Sequence, residues 1–297
     1  MCGIVGLYLK SERLHQELGG HLAAMLVEMS DRGPDSAGIA VYRDAVAETN
    51  CKLTLHAVGD YDWVSLQTEM AAQLVTDVQL CVIASHAVIT MVEDVSAVQD
   101  WLRNEHPQIR IMSAGSSIEI YKEKGLPREF VQQFKLHELS GSHALGHTRM
   151  ATESAVTTEH SHPFSTGMDL CLVHNGSLSN HNRLRRLLRD EGVDIQTDND
   201  SEAAAGYLMW RMREGDSLKE ALHRALDDLD GFYTFAIGTK DGFAVLRDPI
   251  ACKPAVMAET DDWVAMASEF RAIAQLPGAV DARVWEPAPA TVYTWGD

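Results

Sequence analysis

The chain has 297 residues, 45% of them hydrophobic and 23% charged, the balance of a globular protein with a substantial core and room for about two domains. Its 25 Lys and Arg against 43 Asp and Glu leave a formal net charge of −18. That repels phosphate backbones and anionic lipid, no long basic run offsets it, and a nucleic-acid partner is excluded as an expectation.

The opening Cys2-Gly3-Ile4-Val5-Gly6 is apolar and glycine-punctuated, so a strand is predicted from Cys2 to Tyr8. Leu18, Leu22, Met25, Leu26 and Met29 recur at helical spacing within Leu14 to Met29. Arg32-Gly33-Pro34-Asp35-Ser36 breaks that helix, and Ala37 to Tyr42 reads as a second strand. From 58 to 136 the texture changes: a helix from Trp63 to Val75, a strand-like run from Leu80 to Val92, a helix from Val95 to Glu105 and a strand-like stretch from Ile109 to Tyr121. That alternation predicts a small α+β subdomain inserted at 58–136 within one domain spanning 1–297.

The main pattern returns at His143. Leu170 to His174 reads as a strand ending at the turn pair Asn175-Gly176. Asn180 caps a helix with Leu184, Leu187 and Leu188 on one face, and Asp200-Ser201-Glu202 opens the next. Ser217 with Glu220 makes a capping box for a helix running to Leu229. Strands over Phe232–Thr239, Gly242–Asp248, Ala255–Glu259, Val264–Ser268 and Thr291–Trp295 close the chain, with a short helix near Phe270.

Cysteine at position 2 is the most informative residue. Removal of Met1 would leave a thiol and a free α-amine on one residue, and their unperturbed pKa values of about 8.5 and 7.7–8.0 lie near neutrality. Such a residue is a nucleophile carrying its own base. Around it, Arg149 in Gly146-His147-Thr148-Arg149 can clamp a carboxylate bidentately. Asp200 can pair with an ammonium, and Asn175-Gly176 offers a side-chain amide and a backbone N–H to an oxyanion. Taken singly, Asn-Gly reads as a turn, a helix-start Asp as a cap and Arg149 as a structural ion pair. His143, His147, His160, His162 and His174 crowd one stretch without an HExxH or HxxxH helix pattern, and no metal site is expected. Cys2, Cys51, Cys81, Cys171 and Cys252 form an odd set without a CxxC pair. No secretory leader is expected from the first residues, and no apolar run approaches the ~18 residues of a membrane span. A cytoplasmic protein without membrane association is the expectation.

In order along the chain, Cys2-Gly3-Ile4-Val5-Gly6, Arg32-Gly33-Pro34-Asp35-Ser36-Ala37-Gly38, Gly146-His147-Thr148-Arg149, His162-Pro163-Phe164, His174-Asn175-Gly176 and Asp200-Ser201-Glu202 resemble the motifs of class II glutamine amidotransferases. Arg247-Asp248-Pro249, Lys253-Pro254 and Ala267-Ser268-Glu269 match the same domain's closing strands. The resemblance implies an α+β fold, the four-layer αββα sandwich of N-terminal-nucleophile hydrolases. It implies Cys2 as nucleophile, Asn175 and Gly176 as oxyanion hole, Arg149 and Asp200 as the glutamine carboxylate and ammonium partners, Thr152 and His162 as pocket lining, and Arg32 as support for the nucleophile's strand. Met150 and Glu153 depart from the family pattern at the pocket rim, where many relatives carry Trp and His.

The stand-alone length, the insertion and Arg247-Asp248-Pro249-Ile250-Ala251-Cys252-Lys253-Pro254 are similar to the small amidotransferase subunits related to glutamate synthase and found with N-methylglutamate synthase. That subgroup implies L-glutamine as substrate and no cofactor on this chain. It also implies synthase partner subunits in a hetero-oligomer, with FMN and iron–sulfur placed on those partners. The alternatives are a catalytically degenerate subunit that keeps the fold for assembly or regulation, and an N-terminal-nucleophile hydrolase acting on another amide.

Overall fold

The computed structural model describes residues 2–74, 77–92, 95–150 and 156–296. In chain order the strands are β1 (Gly3–Leu9), β2 (Ser36–Tyr42), β3 (Cys51–Ala57), β4 (Val78–Ile83), β5 (His86–Met91), β6 (Ile109–Gly115), β7 (Ile118–Lys124) and β8 (His143–Arg149). They continue as β9 (Phe164–Ser165), β10 (Cys171–Leu178), β11 (Gly231–Thr239), β12 (Gly242–Arg247), β13 (Val256–Glu259), β14 (Trp263–Ala267), β15 (Arg283–Trp285) and β16 (Val292–Gly296). The helices are α1 (Leu18–Glu28), α2 (Trp63–Gln73), α3 (Val95–Glu105), α4 (Pro127–Gln133), α5 (His181–Asp190), α6 (Asp200–Arg213), α7 (Leu218–Asp228) and α8 (Phe270–Ile273).

Two antiparallel sheets form the body, ordered β15-β13-β14-β1-β8-β2-β7 and β16-β12-β11-β10-β9. The central strands of the first sheet, β1, β2, β8 and β14, are buried on both faces, so their side chains divide by the two-residue period. On β1, Val5, Leu7 and Leu9 meet Leu22, Met25 and Leu26 of α1, together with Phe130 of α4 and Ile273 of α8. Ile4 and Tyr8 point the other way, onto Val173, Ala236, Phe243 and Val245 of the second sheet. The outer face of that sheet carries Leu172, Phe235 and Leu246 against Tyr207, Leu208, Leu222 and Ala225 of α6 and α7. The layers are therefore helix, sheet, sheet, helix, the expected αββα sandwich.

A third sheet, ordered β4-β5-β3-β6, carries α2 and α3 and has its own core of Leu53, Leu55, Trp63, Leu66, Met70, Val98 and Leu102. This is the inserted α+β unit, with limits other than the expected 58–136. It starts earlier, because β3 lies between β5 and β6. It ends earlier, because β7 pairs with β2 at the edge of the main sheet and α4 packs in the main core. The expected single stretch from Ile109 to Tyr121 is two strands in different sheets. The corner between them is held by Asp169, whose carboxylate accepts from the N–H groups of Ser116, Ser117 and Ile118 at 2.7–3.0 Å. Burial opposes the charge on Asp169, yet those donors hold its carboxyl below the ordinary carboxylate range. The run from Leu80 to Val92 is likewise a hairpin, turned at Ala84-Ser85 without glycine, proline or asparagine to mark it. The inserted sheet is seated on the body through Val88, the His86 ring against Phe134, and a buried Lys52–Glu119 ion pair at 3.2 Å.

Candidate active site

The strand that follows Cys2, β1, lies inside the first sheet. β1 pairs with β14 on one side and β8 on the other, and Gly3 stands opposite Thr148. One step beyond that pair are Cys2 and Arg149, so the register alone brings the thiol and the guanidinium to one end of adjacent strands. A Cβ at Gly3 would lie 2.7 Å from Thr148 Oγ1 and 2.8 Å from Met29 Cβ, which is why the residue after Cys2 has no side chain. Cys2 is half-buried, and its Sγ makes one long contact, 4.0 Å, to the Met150 carbonyl.

The carbonyl of Cys2 is held from two sides. Arg32 donates through Nε at 3.0 Å, and Asn175 donates through Nδ2 at 3.3 Å. Arg32 is itself fixed by Glu269 at 2.6 Å, and that pairing holds the Glu269 carboxyl below its ordinary range. Next to Glu269, Ser268 Oγ accepts from the Ile4 N–H at 2.9 Å. Arg32 thus links the Cys2 carbonyl, at the start of β1, to Glu269. Ser268 and Glu269, which sequence reasoning placed in a motif without a role, share that work.

Asn175 and Gly176 are not the turn that the sequence suggests. β10 runs through them to Leu178, paired with β11 in register Asn175 to Thr234 and Gly176 to Tyr233. The glycine serves close approach: it has φ +154, and a Cβ there would lie 2.0 Å from the Phe232 carbonyl. β10 belongs to the second sheet and β1 to the first, so the Asn175–Cys2 bond crosses between the two sheets.

Asp200 is the first residue of α6, capped by Asn199, whose side chain accepts from the Ser201 N–H at 2.9 Å. Its Oδ2 accepts from the Leu178 N–H at 2.9 Å and its Oδ1 from the Ser201 hydroxyl at 3.3 Å. α6 is thereby tied to the end of β10, two residues beyond Gly176. Glu202 accepts from the N–H groups of Gln196 and Thr197 at 2.9 and 2.6 Å, which sets the loop that enters the helix.

His162 lies behind this site, buried, its ring stacked on His147 at 4.1 Å and its Nε2 2.8 Å from Ser201 Oγ. His174 reaches the same oxygen with Nδ1 at 2.8 Å, and His147 Nε2 meets the His174 carbonyl at 3.1 Å. Burial lowers the pKa of all three imidazoles, that of His147 to about 3. His162 is thereby connected to Asp200 through Ser201. The segment bearing His162 is pinned by Lys122 of β7, whose ammonium donates to the carbonyls of Glu159, Ser161 and Pro163 at 2.9–3.3 Å. Thr152 and Glu153 lie outside the described residues. Among the described residues no group of three or more His, Cys, Asp or Glu side chains is arranged to hold a metal, and no helix is long and apolar enough to cross a membrane. A cleft of about 640 Å³ opens elsewhere, between α3 and β6 of the inserted unit and the loop before α6; Cys2, Arg149, Asn175 and Asp200 do not line it.

Residues 147–275 match the family described as a glutamine amidotransferase domain. The chain is 55% identical to the glutamine amidotransferase-like protein GlxB of Rhizobium meliloti, over 99% of this chain and 98% of that one. The chain belongs to the glutamine amidotransferase family. The amidotransferase chain is also 34% identical to an amidophosphoribosyltransferase of Synechocystis, over 58% of this chain and 36% of that one. In three dimensions its fold is that of the glutamine phosphoribosylpyrophosphate amidotransferase of B. subtilis, with TM-score 0.64 and 22% identity over all of this chain and 47% of that one. The sandwich is thus one that this chain shares with that amidotransferase, and the remaining half of the longer chain has no counterpart in the aligned residues.

Proposed function

We propose that this chain is the glutaminase subunit of a cytoplasmic synthase complex, hydrolysing L-glutamine through Cys2 and delivering the ammonia to a partner. The observation that carries this reading is the meeting of Cys2, Arg149 and Asn175-Gly176 at one end of two facing sheets, with Asp200 tied to the end of β10. Arg149 and Asp200 are chemically matched to the two ends of an α-amino acid, and the thiol to its side-chain carbonyl.

In the proposed course, the Cys2 thiolate adds to the glutamine side-chain carbonyl carbon, and the C=O electron pair moves onto oxygen. That oxyanion is met by the Asn175 Nδ2 and Gly176 N–H donors. Collapse breaks the C–N bond as the nitrogen takes a proton from the Cys2 α-ammonium, directly or through water, and ammonia departs. The γ-glutamyl thioester is then hydrolysed by water, with the α-amine as base, to glutamate and free thiol.

For the partner we propose the N-methylglutamate synthase or a glutamate-synthase-like complex, in which FMN and iron–sulfur are carried by the partner subunits. The support is the likeness of the Arg247–Pro254 segment and the inserted unit to that subgroup. In the structure, buried Arg247 donates to the carbonyls of Ala251, Pro287 and Lys253, and Asp248 accepts from the Tyr233 and Ile250 N–H groups. The segment is thereby fixed against β11, close to Gly176.

The test is ammonia release from L-glutamine by the purified chain, followed by copurification of untagged neighbours and their cofactor spectra. A flavin-containing complex whose synthesis runs on glutamine supports the reading. Glutamine hydrolysis with no flavoprotein partner would remove the partner assignment and leave the glutaminase standing. The division of roles is tested on Arg149: Arg149→Lys keeps the charge but loses the planar fork, and the glutamine KM should rise about 10- to 100-fold, with kcat little changed. Kinetics in which kcat falls and KM stays would remove Arg149 from substrate binding.

A further inference from the structure

We propose that Ser201 is a positioning residue that aims the Asp200 carboxylate at the substrate ammonium and locks it to the strand bearing the oxyanion donors. The inference rests on the glutaminase reading above and concerns a residue to which that reading gives no task. Ser201 is buried on the first turn of α6, and its hydroxyl oxygen has three neighbours. His162 Nε2 and His174 Nδ1 each lie 2.8 Å away, and Asp200 Oδ1 lies 3.3 Å away.

A serine hydroxyl has one proton and two lone pairs, so only a few arrangements satisfy all three neighbours. Asp200 Oδ1 can only accept, which assigns the serine proton to it. Both imidazoles must then donate to the two lone pairs, through His162 Nε2–H and His174 Nδ1–H. A neutral imidazole has one N–H, so the opposite nitrogens must be bare. Those opposite nitrogens, His162 Nδ1 and His174 Nε2, are the two that are buried without a hydrogen-bond partner. Bare acceptors there are far less costly than orphaned N–H donors would be. The hydrogen-bond pattern and the burial of both rings, which disfavours a charged imidazole, agree on one arrangement.

The consequence is mechanical. With Oδ2 taken by the Leu178 N–H, the serine proton fixes Oδ1, and both oxygens of Asp200 are oriented by the protein. His174 immediately precedes Asn175 on β10, so the same oxygen connects the ammonium partner to the strand of the oxyanion hole. His162 joins through the segment held by Lys122. Ser201 itself touches no reacting atom in this scheme.

Ser201→Ala removes the proton from Asp200 and should raise the glutamine KM about 10- to 100-fold, with kcat held within about threefold. Because the effect passes through Asp200, it should shrink to within about threefold in kcat/KM when Asp200→Asn is already present. Should Ser201→Ala melt far below the wild type, Ser201→Cys, of similar volume and a much weaker donor, is measured in its place with the same expectation. An unchanged KM, a loss confined to kcat, or an equally large loss in both backgrounds overturns the proposal. A wild-type chain that releases no ammonia from glutamine overturns the parent reading, and this inference with it.

Discussion

Replacing Cys2 by alanine should reduce glutamine-dependent ammonia release to background while leaving the thermal midpoint within a few degrees of wild type. No other thiol can substitute for it, because the attacking atom must carry its α-amine and stand beside Asn175 and Gly176. The fold should survive, because the contacts that order this end of β1 are made by its backbone. The Cys2 carbonyl accepts from Arg32 and Asn175, Ile4 pairs with Ser268, and β1 is laddered to β8 and β14. Among the described residues, Cys2 Sγ contributes a single long contact, 4.0 Å, to the Met150 carbonyl. A coupled ammonia assay and a melting curve on the same preparation decide the matter. Persistent hydrolysis would move the nucleophile elsewhere, and a large fall in the midpoint would make the loss uninformative about chemistry.

The second large effect is expected at Asn175. In the free protein its Nδ2 makes a long bond to the Cys2 carbonyl, so removing it costs little in the ground state. In the transition state the same donor would face a full oxyanion, and loss of one such donor typically lowers kcat by about 10²–10³-fold. Asn175→Ala should therefore show that fall in kcat with KM nearly unchanged, the opposite of the pattern expected for Arg149→Lys. Steady-state kinetics of the two variants side by side check the division. The same pattern in both would mean that binding and chemistry are not separated as proposed.

The proximity of the candidate site's residues was partly legible in the sequence, because several sit at the ends of short buried strands, where a polar residue or a glycine is conspicuous. Cys2 and Arg149 fall at such ends, where the antiparallel register brings them together, and Asp200 is conspicuous as the acidic first residue of α6. Asn175-Gly176 was misread locally: the glycine answers to the Phe232 carbonyl across the ladder, a constraint from another strand that resembles a turn signal in one dimension. The limits of the inserted unit were hidden for a similar reason. Gly115-Ser116-Ser117 is the one local sign of a corner between Ile109 and Lys124, but the carboxylate that holds it, Asp169, lies about fifty residues away, and nothing local shows that the two strands enter different sheets. Ser201 stood inside a motif but gave no sign of its task, because the two imidazoles that meet it come from different segments. Periodicity reports which face of an element is buried, not which side chains from other elements will share an oxygen there.

The central claim is that Cys2, with a free α-amine, is the one thiol poised for glutamine. It is tested most directly by treating the chain with the glutamine analogue 6-diazo-5-oxo-norleucine and locating the adduct by peptide mass spectrometry. Cys51 and Cys171 are buried, with their thiols pushed up to about 11 and about 12, and should stay unmodified. Cys81 and Cys252 are exposed and serve as internal controls for indiscriminate alkylation. The account predicts a single adduct, on an N-terminal peptide that begins at Cys2 and lacks Met1, suppressed by excess L-glutamine. An adduct on Cys81 or Cys252 at the same rate, or an unlabelled chain that retains Met1, would contradict it.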